Sequence, residues 1–339
     1  MLNPAVQKVD GCTWAAWVLM AAFLLMVMLK GLLGALFAAL LVYSLVHQIT
    51  PLLARRISSE RARLVAVAAL ASLVVAALSL AIWGVISFVN SDAGNVQHIL
   101  KKLADIIEQS RAQLPAWVQE RLPIGADALR DSIAHWVREH AVEAKAAGAE
   151  AGRSIVHVIV GMVIGMMVAV QGSHDPKRMG RFTVAVVGRM NILYGAFRGM
   201  VFAQVWISGI NAVITGLFVF VVLPLFGVSL PLTKSLVAIT FFAGLLPVIG
   251  NLISNTVFII IGLAHSLQMA VVALVFMVVV HKLEYFLNAR IIGSSLNAHA
   301  WELLAVMLVA ETLFGVPGVV AAPVFYAYAK RELIALKLI

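Results

Sequence analysis

The stretch LLAVMLVAETLFGVPGVVAAP, residues 303–323, is apolar except for one carboxylate, Glu311, and is then interrupted at Gly315, Pro317 and Gly318. A helix needs about 20 apolar residues to cross the roughly 30 Å hydrocarbon core of a membrane. The apolar pieces beside this break are shorter, since about 14 helical residues rise only some 21 Å. The stretch therefore predicts a broken or re-entrant helical hairpin within a membrane.

The composition of the whole chain indicates the same environment. Of 339 residues, 62% are hydrophobic and 12% are charged, whereas about a quarter of the residues in soluble domains are charged. The formal net charge of +9 comes from basic residues in short loops between apolar stretches, which is the distribution that orients membrane proteins. It does not indicate a nucleic-acid partner. A single cysteine, Cys12, excludes an intramolecular disulfide and a cysteine-built metal site.

The apolar stretches predict an all-α polytopic membrane protein with three regions. Residues 1–89 hold the N-terminal spans, 90–152 form an extramembrane insert of amphipathic helices, and 153–339 form a C-terminal membrane region. We expect about eight membrane-embedded helical elements in the lipid bilayer, including broken or re-entrant hairpins. Four arginines precede the third span: Arg55, Arg56, Arg61 and Arg63. They predict that both termini lie in the cytoplasm and that the insert lies on the opposite side.

Local signals refine several of these elements. Two short spans are expected to join at Lys30 and Gly31, and the pair Gly161 and Gly165 lets another helix approach closely. Residues 182–199 alternate apolar and polar positions, which predicts an interfacial helix or the wetted start of the next span. Apolar faces that one small bundle does not cover predict a homo-oligomer.

A second Gly/Pro break lies upstream, at Gly244, Pro247 and Gly250, and is followed by Asn251 and Asn255. Irregular backbone at membrane depth survives only where it is buried in protein or lines a wet cavity. Paired breaks of this kind point to the binding site of a transporter. We therefore expect a solute path along both breaks. The second break comprises Gly315, Pro317, Gly318 and Pro323. The alternative is that both are tight turns between closely spaced helices.

Glu311 is the carboxylate placed at membrane depth. An ionisable group inside a span costs about 2.5 to 3.5 kcal/mol on the insertion scale, so it usually faces a cavity or a partner. We expect the two breaks to face each other near mid-membrane, with Glu311 as the proton-coupling group. The alternative is a neutral, hydrogen-bonded glutamate that only packs the helices.

The chain resembles the autoinducer-2 exporter family of permeases over nearly its whole length. The resemblance lies in FFAGLLPVIGNLI (241–253), HKLEYFLNARIIG (281–293) and LFGVPGVVAAPVFYAYAKREL (313–333). The family's motif positions fall on these residues: Pro247 and Gly250, then Glu284 in a loop with Arg290 and Gly293, then Gly315, Gly318, Ala322 and Pro323. The sequence departs from the pattern at Ala289 and near Ala300, where many members carry proline.

The resemblance implies a secondary transporter of a small polar solute or a monovalent cation. One activity proposed in the family is export of a quorum-sensing molecule such as autoinducer-2; the other is exchange of sodium or lithium for protons. The neutral polar groups of Asn251, Ser254 and Asn255 favour export of a polar solute, because only Glu311 is an evident carboxylate at depth. A cation/proton antiporter is the first alternative and a non-transporting membrane scaffold the second.

The sequence offers no basis for an enzyme. It contains no HExxH, no Gly-x-Ser-x-Gly, no pair of membrane aspartates and no P-loop for ATP-driven pumping. His265, His281 and His299 lack the spacing of metal ligands. We therefore predict no catalytic residues, no cofactor and no metal site.

Overall fold

The computed structural model describes the backbone of residues 10–55, 58–89, 139–171, 179–230, 232–245, 249–296 and 299–336, together with positions 131, 135 and 338. These residues are almost entirely helical, and they contain no β-strand. There are ten helices in the described chain. They are α1 Gly11–Leu29, α2 Leu33–Leu53, α3 Ser59–Val89, α4 Ala141–Gln171, α5 Arg181–Leu225, α6 Thr233–Gly244, α7 Ile249–His265, α8 Leu267–Leu296, α9 Ala300–Phe314 and α10 Val316–Ala335. The predicted all-helical fold is confirmed.

Five segments of the described chain are long and apolar enough to cross a membrane. They are α1, α2, α4, α5 and the first part of α8, Leu267–Glu284. The apolar helices α6 and α7 are shorter, because the Gly/Pro break separates them. The predicted number of about eight membrane-embedded elements therefore holds approximately.

The turn between α1 and α2 lies at the predicted position. Gly31 adopts a left-handed conformation with φ +65°, which glycine reaches without steric cost. The amide of Leu32 donates to the carbonyl oxygen of Val27 at 2.9 Å, so the end of α1 keeps its backbone hydrogen bonds. A polar Lys30 and a glycine together were sufficient to locate this turn.

Helix α5 differs from the sequence-based expectation. Instead of an interfacial helix followed by a span, the chain forms one helix over Arg181–Leu225, 45 residues long. Neither Gly195 nor Gly199 interrupts it, because a glycine lowers helix stability without removing a backbone hydrogen bond. The last turns widen into a π-helix at Phe218–Val222, just before Pro224, which lacks the amide that would continue the α-helical pattern.

The prediction of a loop around Glu284, Arg290 and Gly293 is wrong. Helix α8 continues through these positions to Leu296. Charged residues had suggested a loop, but no proline lies between His281 and Leu296 to end the helix. Ala289, which replaces the proline of many relatives, lies within the uninterrupted part of α8.

The insert predicted at 90–152 lies largely outside the described residues. Its final part is described, and there the chain has already entered α4, which begins at Ala141. The predicted boundary at residue 152 therefore falls inside a helix of 31 residues. The division into three sequence regions otherwise stays a prediction.

The chain divides into two compact units. Unit 1 comprises residues 1–71, 151–203 and 291–339, and unit 2 comprises 72–150 and 204–290. In unit 1, α4 packs closely on α2: a side chain at Gly161 or Gly165 would clash with the backbone of Ala35 or Ala39. The predicted close approach of another helix to these two glycines is confirmed.

Unit 2 has an aromatic core that holds α5, α7 and α8 together. Phe218 stacks on Phe276 with ring centroids 3.9 Å apart, and Phe258 meets both rings edge-on. Phe258 is fully buried. Because aromatic pairs prefer offset or edge-on contacts of this kind, the cluster fixes these three helices beside the polar residues described next.

Candidate functional site

The first Gly/Pro break joins α6 to α7 in unit 2. A side chain at Gly250 would clash with the carbonyl oxygen of Ala243 and approach Gly244, so only glycine allows α7 to start this close to the end of α6. Pro247 lies outside the described residues. The break therefore folds the chain back sharply and brings the first turn of α7 beside α5 and α8.

Two side chains of α5 satisfy the carbonyl groups at the end of α6. Gln204 Nε2 donates to the carbonyl oxygen of Gly244 at 2.6 Å, and Ser208 Oγ donates to that of Phe241. The last carbonyls of a helix have no partner within the helix, and in a membrane such groups need one. These two carbonyls are consequently occupied, and the end of α6 is held against α5.

Asn251 in the first turn of α7 binds the carboxylate of Glu284 in α8. Its Nδ2 lies 2.8 Å from both carboxylate oxygens. Glu284 is only 6% exposed, and His281 Nδ1, one turn earlier, lies 3.9 Å from Glu284 Oε2. A buried carboxylate requires charge neutralisation or strong hydrogen bonds, and Asn251 supplies such hydrogen bonds to Glu284.

Asn251 and Glu284 lie in a polar pocket within unit 2. Its walls come from α5, α6, α7 and α8: Asn211, Thr215, Thr240, Asn251, Ser254, Asn255, Met277, Val280, His281 and Glu284. The cavity volume is about 10 Å³, enough for roughly one water molecule. Asn251, Ser254 and Asn255, which the sequence had marked as polar groups near the break, are thus brought together with the motif residue Glu284.

Sequence reasoning did not include the α5 wall of this pocket among the site residues. Its polar residues recur at spacings of three or four along one helix: Gln204, Ser208, Asn211 and Thr215. This spacing places them on one face, and all four are buried. A polar face on an otherwise apolar span was the signal that could have identified them.

The second break forms a tight turn between α9 and α10 in unit 1. Gly315 has φ +64°, and Pro317 lies in the first turn of α10, where its missing amide costs nothing. A side chain at Gly318 would clash with the carbonyl oxygen of Ala310. Pro323 is buried within α10. The break is thus realised as a close helical hairpin.

Glu311 lies on the exposed side of α9. Among the described residues its side chain has no hydrogen bond or ion pair, while its carbonyl oxygen accepts from the amide of Gly315 at 2.7 Å. The expected facing of the two breaks concerns residues of different units and stays a prediction. Arg290 and Gly293 lie in α8, and nothing further is described of their surroundings.

The hairpin is closed at its other end by a hydrogen-bonded cluster. Glu302 accepts from Lys330 Nζ at 2.8 Å and from the hydroxyl of Tyr326, and its other oxygen lies 2.7 Å from His299 Nδ1. Lys330 and Tyr326 belong to α10 and Glu302 to the first turn of α9. The cluster therefore joins the start of α9 to the end of α10.

A buried ion pair, not anticipated from the sequence, connects three helices of unit 1. Arg189 of α5 lies 3.2 Å from Glu332 Oε2 of α10, and the Trp17 indole of α1 donates to the same oxygen at 3.2 Å. The guanidinium carbon of Arg189 is 5.2 Å from the Trp17 ring centroid. Glu332 lies in the tail segment that the sequence analysis placed in the cytoplasm. That placement gave no reason to expect a buried side chain.

Long apolar helices, glycine-mediated packing and a buried polar pocket define a polytopic membrane protein with an internal polar site. The chain belongs to the AI-2E transporter family, since the model of that family, described as AI-2E family transporter, matches residues 14–337. The resemblance noted from the motifs is thereby confirmed, and the protein is a membrane transporter of the permease type. A search of curated proteins found no match.

Proposed function

We propose that the protein is a secondary transporter that exchanges a monovalent cation for protons at the Asn251–Glu284 site. The observation that carries this proposal is the presence of one buried carboxylate in a narrow pocket lined by side-chain oxygens. A membrane-buried carboxylate is most stable when neutral. A bound cation or a bound proton neutralises it equally, so the two compete for one position, which is the requirement for exchange.

The charge of the pocket favours a monovalent ion. Glu284 is the one carboxylate among the lining residues that the structure describes, and the other polar walls are amides, hydroxyls and a histidine. A divalent ion would leave an uncompensated positive charge in a poorly solvated site, which is costly. A monovalent cation is fully compensated by Glu284.

Of the two activities implied by the resemblance, the size of the pocket supports cation exchange. A cavity of about 10 Å³ accepts a particle of roughly the size of a water molecule, such as a dehydrated sodium or lithium ion. Export of a small polar solute such as autoinducer-2 is the second candidate, supported by the amides and hydroxyl of Asn251, Ser254 and Asn255. It requires the pocket to widen considerably during transport.

The driving force in this proposal is the proton gradient. The sequence contains no P-loop for nucleotide-driven pumping. We assign the proton to Glu284, because this carboxylate is buried in the pocket. Glu311, the carrier inferred from the sequence, is the alternative, and its exposed position on α9 makes it the less favoured of the two carboxylates.

Transport by the purified protein in proteoliposomes tests this function. The unmodified chain is reconstituted with an imposed pH gradient and offered sodium, lithium and autoinducer-2 in separate experiments, with empty liposomes as the control. Sodium- or lithium-dependent collapse of the pH gradient is expected. Movement of autoinducer-2 without any cation response would support the exporter instead, and no movement of any of the three would support a membrane scaffold.

We also propose that the protein is a homo-oligomer of the bacterial inner membrane. Many large apolar side chains of α1 and α4 are exposed on the single chain, and packing against further copies would cover part of this surface. Detergent-corrected mass measurements test the assembly. A mass near the 36.4 kDa of one chain in several mild detergents would contradict it.

A further inference from the structure

Two buried oxygens on α5 have no hydrogen-bond partner among the described residues. They are Asn211 Oδ1 and Thr215 Oγ1, and their residues are 5% and 0% exposed. Both residues line the pocket that contains Glu284. An unpaired polar group in a buried position destabilises a protein, so the fold maintains these oxygens at an energetic disadvantage.

The rest of the polar face of α5 does not share this property. Ser208 and Gln204, about one and two turns before Asn211, both donate to the carbonyl groups of α6. Asn211 and Thr215 are four positions apart and therefore neighbours on the same face. The face is thus divided into a part that fixes the end of α6 and a part whose oxygens are available to a ligand in the pocket.

We propose that Asn211 and Thr215 are direct ligands of the transported cation, and that with Glu284 they form a dehydrated oxygen site. This assignment rests on the proposed exchange function. Oxygen ligands suit hard cations. Both α5 oxygens are neutral, so they complete the coordination without adding to the single negative charge of Glu284.

The narrow pocket explains why the protein itself has to supply ligands to the ion. The cavity of about 10 Å³ holds roughly one water-sized particle, and the walls on the α5 side are packed, with Thr215 fully buried. An ion entering this space loses its hydration shell, so protein oxygens have to replace the lost water oxygens.

Cation-dependent thermal stability of the purified full-length protein tests the assignment. Unfolding in a mild detergent at pH 8 is followed while sodium chloride, lithium chloride or potassium chloride replaces choline chloride at constant ionic strength. A ligand that binds only the folded state raises the unfolding temperature in proportion to its affinity. The unmodified protein is expected to unfold at a higher temperature in sodium or lithium chloride than in choline chloride, because the folded site binds these ions.

The decisive variant is Thr215→Val, which keeps the shape of the side chain and removes the hydroxyl. Because that hydroxyl has no partner, its removal is expected to leave the fold intact. The sodium dissociation constant should rise about tenfold or more, as expected for losing one contact to a charged group, and Thr215→Ser should restore binding. The matched control is Thr256→Val on α7, whose hydroxyl bonds to its own helix at the carbonyl of Leu252 outside the pocket.

Two contrary outcomes are distinguishable. If the unmodified protein binds sodium or lithium and Thr215→Val binds them equally well, the ligand assignment is overturned while the exchange function stands, and the α5 oxygens serve an internal water. If the unmodified protein shows no cation-dependent stabilisation and transports neither ion, the exchange function and the ligand assignment both fail.

Discussion

Asn251 Nδ2 lies 2.8 Å from each carboxylate oxygen of Glu284. The two residues are 33 positions apart and belong to different helices of unit 2. The bond exists because Gly250 lets α7 start against the end of α6, which turns the first side chains of α7 toward α8. The Gly/Pro break thus has a chemical consequence, since it provides a polar partner for the carboxylate on which the proposed exchange depends.

Gly318→Ala tests whether the second break depends on close backbone contact. The new methyl group would clash with the carbonyl oxygen of Ala310, and backbone cannot rotate away as a side chain can. We expect a loss of about 1 to 3 kcal/mol in the free energy of unfolding, measured by denaturation in detergent. The control, Gly188→Ala, has no atom within 4 Å of the new methyl group and should be neutral or stabilising by up to about 1 kcal/mol. Equal stability of the two variants would contradict the tight hairpin.

Glu332→Leu should reveal the energetic role of the buried ion pair. It leaves Arg189 buried without its carboxylate, and removing one partner of a buried pair costs about 3 to 5 kcal/mol. Adding Arg189→Met should recover much of this loss, because an apolar pair of similar volume is often neutral or stabilising. The three unfolding free energies form a double-mutant cycle. Additive effects of the two substitutions would show that the pair does not interact.

Accessibility labelling in intact cells tests the membrane orientation. After replacement of Cys12 by serine, a cysteine introduced at Gln109 in the insert is expected to react with an impermeant reagent, whereas one in the C-terminal tail should react only after lysis. The physical reason is the group of arginines before α3, which favours the cytoplasmic side. Labelling of the tail and protection of the insert in intact cells would reverse the proposed orientation.

Glu311→Gln separates the two candidate proton carriers. The substitution keeps the size of the side chain and removes its ability to titrate. Because Glu311 is exposed on α9 and has no described partner, we expect transport in proteoliposomes to retain its pH dependence, with a rate within about twofold of the unmodified protein, as for most surface substitutions. Loss of the pH dependence in this variant would move the coupling from Glu284 to Glu311.

Local backbone features could be predicted from the sequence, whereas contacts between residues distant in the sequence could not. The turn at Gly31 and both Gly/Pro breaks follow from residues that favour a particular backbone conformation, and they lie where predicted. The contact of Asn251 with Glu284 depends on how α7 meets α8, which no local pattern specifies. The loop expected around Glu284 was wrong because charged residues suggested water, whereas the helix continues and buries the carboxylate. The helical spacing of Asn211 and Thr215 was visible in the sequence, but the sequence did not indicate which helices this face contacts.

Glu284→Gln in the proteoliposome assay tests the central claim most directly. The variant retains a side chain of the same shape that can accept a hydrogen bond from Asn251, but it can neither release a proton nor neutralise a cation. The proposed exchange predicts a properly folded protein whose sodium- or lithium-driven proton movement falls to the level of empty liposomes at every pH from about 6 to 9, on either side of the neutral pH at which proton-transferring groups usually operate. Cation-driven proton movement with the rate and pH dependence of the unmodified protein would contradict it.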